Sequence, residues 1–224
     1  MTDPSARPLV EAINPELFDH GEPGEDLTLL VWRFPEPLLV VSSAPLGGGI
    51  GRRDWVINAQ VSHAYARLDP ETHLAELAFR RGLTGPGVGM LTAVDLRNVW
   101  RDDDGGVRVD ASVGITLPTW AAAPDEPDDR AEPGPGTINI VAIVPERLSR
   151  SAMVNAVMTV TEAKAQALWD ARVPATGTAS DAVCVICPDE GLAHPFGGPR
   201  SLWGARLARA AYRAVAAGCR GSES

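Results

Sequence analysis

The stretch LTLLVWRFPEPLLVVS, residues 27–42, decides the fold. Two apolar runs, 27–33 and 38–42, are separated only by Phe34, Pro35, Glu36 and Pro37. Short runs rich in Leu and Val read as strands, and so brief a connection leaves no room for the crossover helix that parallel neighbours need. Paired strands without an intervening helix argue against a sheet wound from βαβ units. Outward from this pair, further strands are expected at 55–61 (WVINAQV), 88–96 (VGMLTAVDL), 107–116 (VRVDASVGIT), 137–144 (TINIVAIV) and 182–187 (AVCVIC). The first half of 107–116 alternates Val107, Val109 and Ala111 with Arg108, Asp110 and Ser112, which predicts one buried face and one wet face. The DDDGG at 102–106 reads as a tight turn into that strand. Helices are expected at 71–81, at about 152–171 with Ser149 or Ser151 as cap, and at 201–217 with Gly218 ending it. The fold class is therefore α+β, a mixed or largely antiparallel sheet or sheets of about seven strands covered by about three helices.

The chain has 224 residues and a formal net charge of −9. Its acidity is peripheral. Residues 1–26 hold seven acids against Arg7, and residues 122–135 hold five against Arg130. The remainder has a net charge of +1. These two stretches read as a solvated N-terminal arm and a Pro-rich surface loop on a single domain spanning 27–218, with a tail at 219–224. Such a chain lacks the clustered basic surface that nucleic acid requires. It has no apolar run long enough for a transmembrane helix and no signal peptide, so a cytoplasmic location and no membrane partner are expected. A homo-oligomer is left open.

Of the 20 basic residues, 19 are Arg and one is Lys164. Arg cannot replace Lys where a compact, titratable amine is needed. Helical spacing puts Lys164 in line with Val154, Val157, Thr161 and Leu168, an inward stripe, and puts Glu162 on another face with Asn155, Met158, Gln166 and Trp169. An inward Lys needs a carboxylate partner, and Asp181 is the best placed. The preceding ATGTAS, 175–180, offers the hydroxyls of Thr176, Thr178 and Ser180 and a glycine, a set suited to holding a ligand or to stabilising its own turn. His63, after the strand carrying Asn58, is a candidate acid or base. Cys184 and Cys187 form a C-x-x-C on a strand, where residues three apart face opposite ways, so they read as reduced core cysteines. The Gly-rich LGGGIG at 46–51 lacks the spacing of phosphate-binding loops and reads as a flexible turn. No metal-ligand spacing is present, so no metal and no cofactor are expected. Six Trp against two Tyr would suit a flat ligand, but Trp32 and Trp55 lie in strands and read as core.

Several of these segments also resemble a known family. GVGMLTAVDL (87–96), GTINI (136–140), MTVTEAKAQAL (158–168) and ATGTASDAV (175–183), with weaker support from GARLARA (204–210), are similar to the adenosylcobinamide amidohydrolases, the CbiZ family. The resemblance runs from Trp55 to Ala217. DASVGIT (110–116) departs from the pattern, and the loop at 122–135 reads as an insertion. The resemblance implies corrinoid salvage: hydrolysis of the amide joining adenosylcobyric acid to aminopropanol, with the cobalt-bearing corrinoid as small-molecule substrate. On that premise Glu162 or Asp181 would activate water, and Lys164 or the Thr176, Thr178 and Ser180 loop would stabilise the oxyanion. Asn58, His63 and Asn139 would position substrate amides. A hydroxyl nucleophile, Thr92 or Thr178, is the competing mechanism. A non-catalytic corrinoid-binding protein is the rival function.

Overall fold

A computed structural model describes residues 9–22, 25–124 and 136–221. The elements are, in chain order, α1 Leu9–Ala12, β1 Pro15–Glu22, β2 Glu25–Ser42, β3 Gly49–Gln60, α2 Pro70–Arg80, β4 Gly87–Thr92, β5 Trp100–Asp104, β6 Val107–Val113, β7 Ile138–Ile143, α3 Arg150–Asp170, β8 Ala182–Cys187 and α4 Leu202–Gly221. The strands form one open, mixed, 8-stranded sheet in the order β4-β3-β2-β8-β7-β6-β5, with β1 paired beside β2. β3 with β4 and β7 with β8 run parallel, and the other pairs are antiparallel.

The long strand β2 sets the shape. Leu30 pairs with Asn58 towards one end of it, and Ser42 pairs with Cys184 at the other. Between Arg33 and Leu38 the register shifts, where Pro35 and Pro37 remove ladder donors. Asn58 nevertheless hydrogen-bonds Asn139 of β7, on the far side of β8. The sheet therefore folds back over itself at the break in β2. Its inner face closes on one core that includes Trp32, Val56, Met90, Val141 and Ile186. Its outer face carries two more: α3 and α4 cover Val109, Ile140 and Val185, while α2 lays Leu74 and Leu77 on Leu29 and Ile57.

Four expectations change. The two runs of 27–42 are one strand, bent at the prolines. The acidic arm is not free where it is described: residues 15–22 pair with β2 along their whole length. Asp19 meets Arg97 at 3.2 Å and Glu16 meets Arg33 at 3.7 Å. Such exposed pairs contribute about 0–1 kcal/mol each, so the ladder holds β1 in place. The DDDGG turn is narrower than expected. Asp102, Asp103 and Asp104 belong to β5, and the turn proper is Gly105 and Gly106, at φ 53° and 93°. Arg213 of α4 bonds Asp102 and Asp104, and Arg209 bonds Asp104 at 2.7 Å, which holds Asp104 at about 2, below its usual range. Finally, Gly218 does not end α4. It sits inside the helix because a Cβ there would overlap Val113 and Trp100.

Cys184 lies in the inner core and Cys187 in the outer one, on opposite faces as the strand periodicity requires. Burial pushes their thiols up to about 12 and about 11. Residues 1–8, 23–24, 125–135 and 222–224 lie outside the described residues, and with them most of the expected acidic loop at 122–135 and half of the tail at 219–224. Among the described residues no helix is long and apolar enough to cross a membrane.

Candidate active site

Ser149 starts α3: its backbone is extended, at φ −64° and ψ 159°, and its hydroxyl accepts from Ala152 N at 3.1 Å. The buried side of the helix runs through Met153, Ala156, Val160, Ala163, Lys164 and Ala167. The expected stripe through Val154 and Thr161 is displaced. Val154 is 49% exposed and Thr161 is exposed. Alanines at 152, 156, 163 and 167 line the buried side of α3, while Val154 and Thr161 are turned outwards. Lys164 remains on the inner side.

There Lys164 Nζ pairs with Asp181, the residue before β8, and the two side chains are 8% and 10% exposed. Asp181 Oδ1 accepts from Ile138 N at 2.8 Å and from the Thr178 hydroxyl at 2.6 Å. Oδ2 accepts from Thr178 N at 3.0 Å and from the ammonium. These four donors fill the roughly four acceptor positions of a carboxylate. Asp181 thus ties the starts of β7 and β8 to α3. Gly177 closes the loop over the pair, since a Cβ there would fall on Lys164 Nζ and Asp181 Oδ2. The loop is latched from outside by Thr119, whose N–H donates to Gly177 O at 2.8 Å and whose carbonyl accepts from Thr176 N at 3.1 Å. The Thr176 hydroxyl in turn accepts from Ala121 N at 2.9 Å.

The same end of the sheet carries a second, neutral network. The Ser180 and Thr137 hydroxyls are 2.8 Å apart. Two residues on, Asn139 points into the fold and donates to Asn58 Oδ1 at 2.9 Å and to Leu91 O at 2.8 Å. Asn58 donates to the Ser112 hydroxyl at 3.0 Å. All three side chains belong to residues only 2% exposed. This corrects the wet face expected for β6. Asp110 and Ser112 face the inner side of a sheet that covers itself, and Asp110 takes bonds from Trp32 Nε1 at 3.0 Å and Arg101 Nε at 2.6 Å. Among the described residues, Asn139 Oδ1 is buried without a hydrogen-bond partner, an arrangement that costs free energy until a ligand N–H or water fills it.

Of the residues singled out in the sequence, the fold brings together Lys164, Asp181, Thr176, Thr178, Ser180, Asn58 and Asn139. Thr92 is buried on β4 beside Leu91, and its hydroxyl accepts from Val94 N at 3.2 Å, which stabilises a turn. His63 is exposed on the loop after β3 and joins none of these bonds among the described residues. Glu162 is exposed on the other side of α3, where it lines a cleft of about 330 Å³ with Gln166, Arg209, Tyr212 and Arg213. Sequence reasoning missed Ser112, Thr137 and Thr119. Ser112 had a signal: a small hydroxyl in a strand suits a buried hydrogen bond better than a solvated face. Among the described residues no three His, Cys, Asp or Glu side chains gather as a metal site would require.

A family model described as adenosylcobinamide amidohydrolase matches residues 15–224. An adenosylcobinamide amidohydrolase of Methanosarcina mazei is 29% identical over 185 residues, covering 79% of this chain and 88% of its own. One from Halobacterium salinarum is 37% identical over 118 residues, half of each chain. Among solved structures, the PH0078 protein of Pyrococcus horikoshii OT3 superposes with a TM-score of 0.43 at 9% identity, covering 88% of this chain and 77% of its own.

Proposed function

We propose that this chain, which belongs to the adenosylcobinamide amidohydrolase family, hydrolyses the amide between adenosylcobyric acid and aminopropanol at the Lys164–Asp181–Thr178 cluster. The observation that carries the assignment of the site is the four-donor clasp on Asp181. A carboxylate so fully engaged has no acceptor position left for a water molecule. Its part is to orient two groups: the half-buried Thr178 hydroxyl and, beneath Gly177, the Lys164 ammonium.

In this reading Thr178 Oγ1 adds to the amide carbonyl carbon, and its proton moves to Asp181 Oδ1, with which it already shares a hydrogen bond of 2.6 Å. The carbonyl π electrons move onto oxygen, where the ammonium of Lys164 stabilises them. When the carbonyl re-forms, the C–N bond breaks and the amine leaves with the proton from Asp181. Water then hydrolyses the Thr178 ester by the same groups in reverse, giving the acid.

The test is incubation of the purified protein with adenosylcobinamide, followed by chromatography for adenosylcobyric acid. Product from wild type, its loss in Thr178→Ala and Lys164→Ala, and an acyl adduct on the Thr178 peptide by mass spectrometry support the proposal. Wild type that holds the corrinoid without releasing product is a binding protein. A Thr178→Ala variant at near wild-type rate gives the nucleophile's place to water.

A further inference from the structure

The six tryptophans divide sharply. Trp32, Trp55 and Trp203 are buried and Trp100 packs on the outer core, but Trp120 is 44% and Trp169 is 69% exposed. These two lie on separate segments, yet they flank one cleft of about 480 Å³, with Asp170, Arg172, Val173 and Pro174 between them. Large aromatic surface left in water has no folding benefit, so a pair converging on one cleft is a feature to be explained.

The cleft is linked to the clasped site through the chain, by the segments that carry its two tryptophans. Trp120 follows Thr119, the residue that latches Gly177 over the Lys164–Asp181 pair. Trp169 stands five residues beyond Lys164 on α3, about 7.5 Å along the helix axis and about 140° round it, on the exposed side. Arg172, at φ 60°, is the one non-glycine residue with positive φ among the described residues. It closes the end of α3, with Arg172 N bonding Trp169 O and Val173 N bonding Leu168 O, and turns the chain so that Val173 and Pro174 line the cleft and lead into Thr176.

We infer that Trp120 and Trp169 hold the rim of the corrin macrocycle, so that one of its side-chain amides reaches the Thr178 hydroxyl. This rests on the amidohydrolase reading and adds to it the surface that recognises the invariant part of the substrate. The macrocycle is larger than the cleft, so only its edge seats there and the rest lies over the Thr119–Gly177 latch. Two aromatic faces against a flat, largely apolar ring select for the corrin and leave its lower substituents free to vary.

Cobyric acid is the direct probe, because it retains the macrocycle and lacks the scissile amide. Equilibrium dialysis followed by corrin absorbance gives its Kd, and steady-state hydrolysis of adenosylcobinamide gives KM and kcat. Trp120→Ala and Trp169→Ala are each expected to raise Kd and KM about tenfold, the worth of one good aromatic contact, with the loss falling on KM. Trp169→Phe should recover most of the binding. Both residues are exposed, and an unchanged thermal midpoint separates lost contact from lost fold. If both alanine variants match wild type in Kd and KM while wild type turns over, the macrocycle sits elsewhere and the inference falls. If wild type neither binds cobyric acid nor cleaves adenosylcobinamide, the amidohydrolase reading itself has failed.

Discussion

Replacing Lys164 by Met removes one of four donors from a carboxylate whose side chain is 10% exposed. Ile138 N, Thr178 N and the Thr178 hydroxyl remain, at 2.8, 3.0 and 2.6 Å, but all are neutral. Breaking a buried ion pair by removing one partner typically costs about 3–5 kcal/mol, and the three surviving donors put this case at the low end, about 3 kcal/mol. Asp181→Asn strands the ammonium instead and sets an amide N–H2 among donors, for a similar loss of about 3 kcal/mol. In the double variant no charge is left buried. It is expected to lose about 3 kcal/mol in total, not the roughly 6 kcal/mol that independent sites would lose, a coupling of about 3 kcal/mol. Urea unfolding monitored by the buried tryptophans reads this directly. At an m-value of about 2–3 kcal/mol/M, each single variant shifts the midpoint down by roughly 1–1.5 M, and the double variant shifts by no more than either. Additivity within about 0.5 kcal/mol would refute a coupled buried pair. The activity of the folded fraction supplies the second axis. The double variant is no less stable than either single variant yet has no turnover, because both the ammonium and the proton-accepting carboxylate are missing. Turnover in the double variant would reduce Lys164 and Asp181 to structural residues.

Three further outcomes are expected. Gly177→Ala places a methyl on Lys164 Nζ and Asp181 Oδ2 and forces the clasp open, costing about 1–3 kcal/mol in a thermal melt and at least tenfold in turnover; a wild-type rate would detach the clasp from catalysis. Asp104 titrates at about 2 when folded, against 3.8 as a free side chain, chiefly because Arg209 hydrogen-bonds it. The folded state then binds fewer protons than the unfolded one across that window, so this pair's contribution is complete above about pH 4 and is lost as pH falls through about 2. The stability difference between wild type and Asp104→Asn should shrink from pH 5 to pH 2, and a constant difference would contradict the assignment. Glu162→Gln, on the far side of α3, should leave turnover within a few-fold of wild type. A loss of a hundredfold would move the general base into the cleft between α3 and α4.

How much of this was legible follows from what each signal measures. The strand character of residues 27–42, the six buried residues of β8 and the partner of Lys164 could be read because each is local or is forced by a single strong penalty. An ammonium on the inner side of a helix must find a carboxylate, and few lay near enough in sequence to the ATGTAS loop. β5 was missed because three consecutive aspartates have poor strand propensity. Their compensation comes from Arg209 and Arg213, more than a hundred residues away in sequence. The inward line of α3 was misplaced because alanines carry little hydrophobic signal, and the buried face, Ala152, Met153, Ala156, Val160, Ala163 and Ala167, is turned away from Val154 and Thr161.

The wet face of β6 fails for a deeper reason, and it bears on the site. Alternation along a strand reports that its two faces differ, not that one of them meets water. An isolated sheet covered by helices on one side would have left Asp110 and Ser112 in solvent. The break at Pro35 and Pro37 in β2 folds the sheet onto itself instead and buries them both. The polar side of β6 then has to be satisfied inside the fold, and it is, by Trp32, Arg101 and Asn58. The Asn58–Asn139 bridge that results joins strands that are not neighbours in the sheet. It stands beside the Asp181 clasp because both groups meet at the starts of β7 and β8. The bend in β2 and the assembly of the site are thus one structural event. A change that straightens the 34–37 segment should disperse Asn58 from Asn139 before it disturbs Lys164 and Asp181, since those two are held by α3 and by the loop that precedes β8.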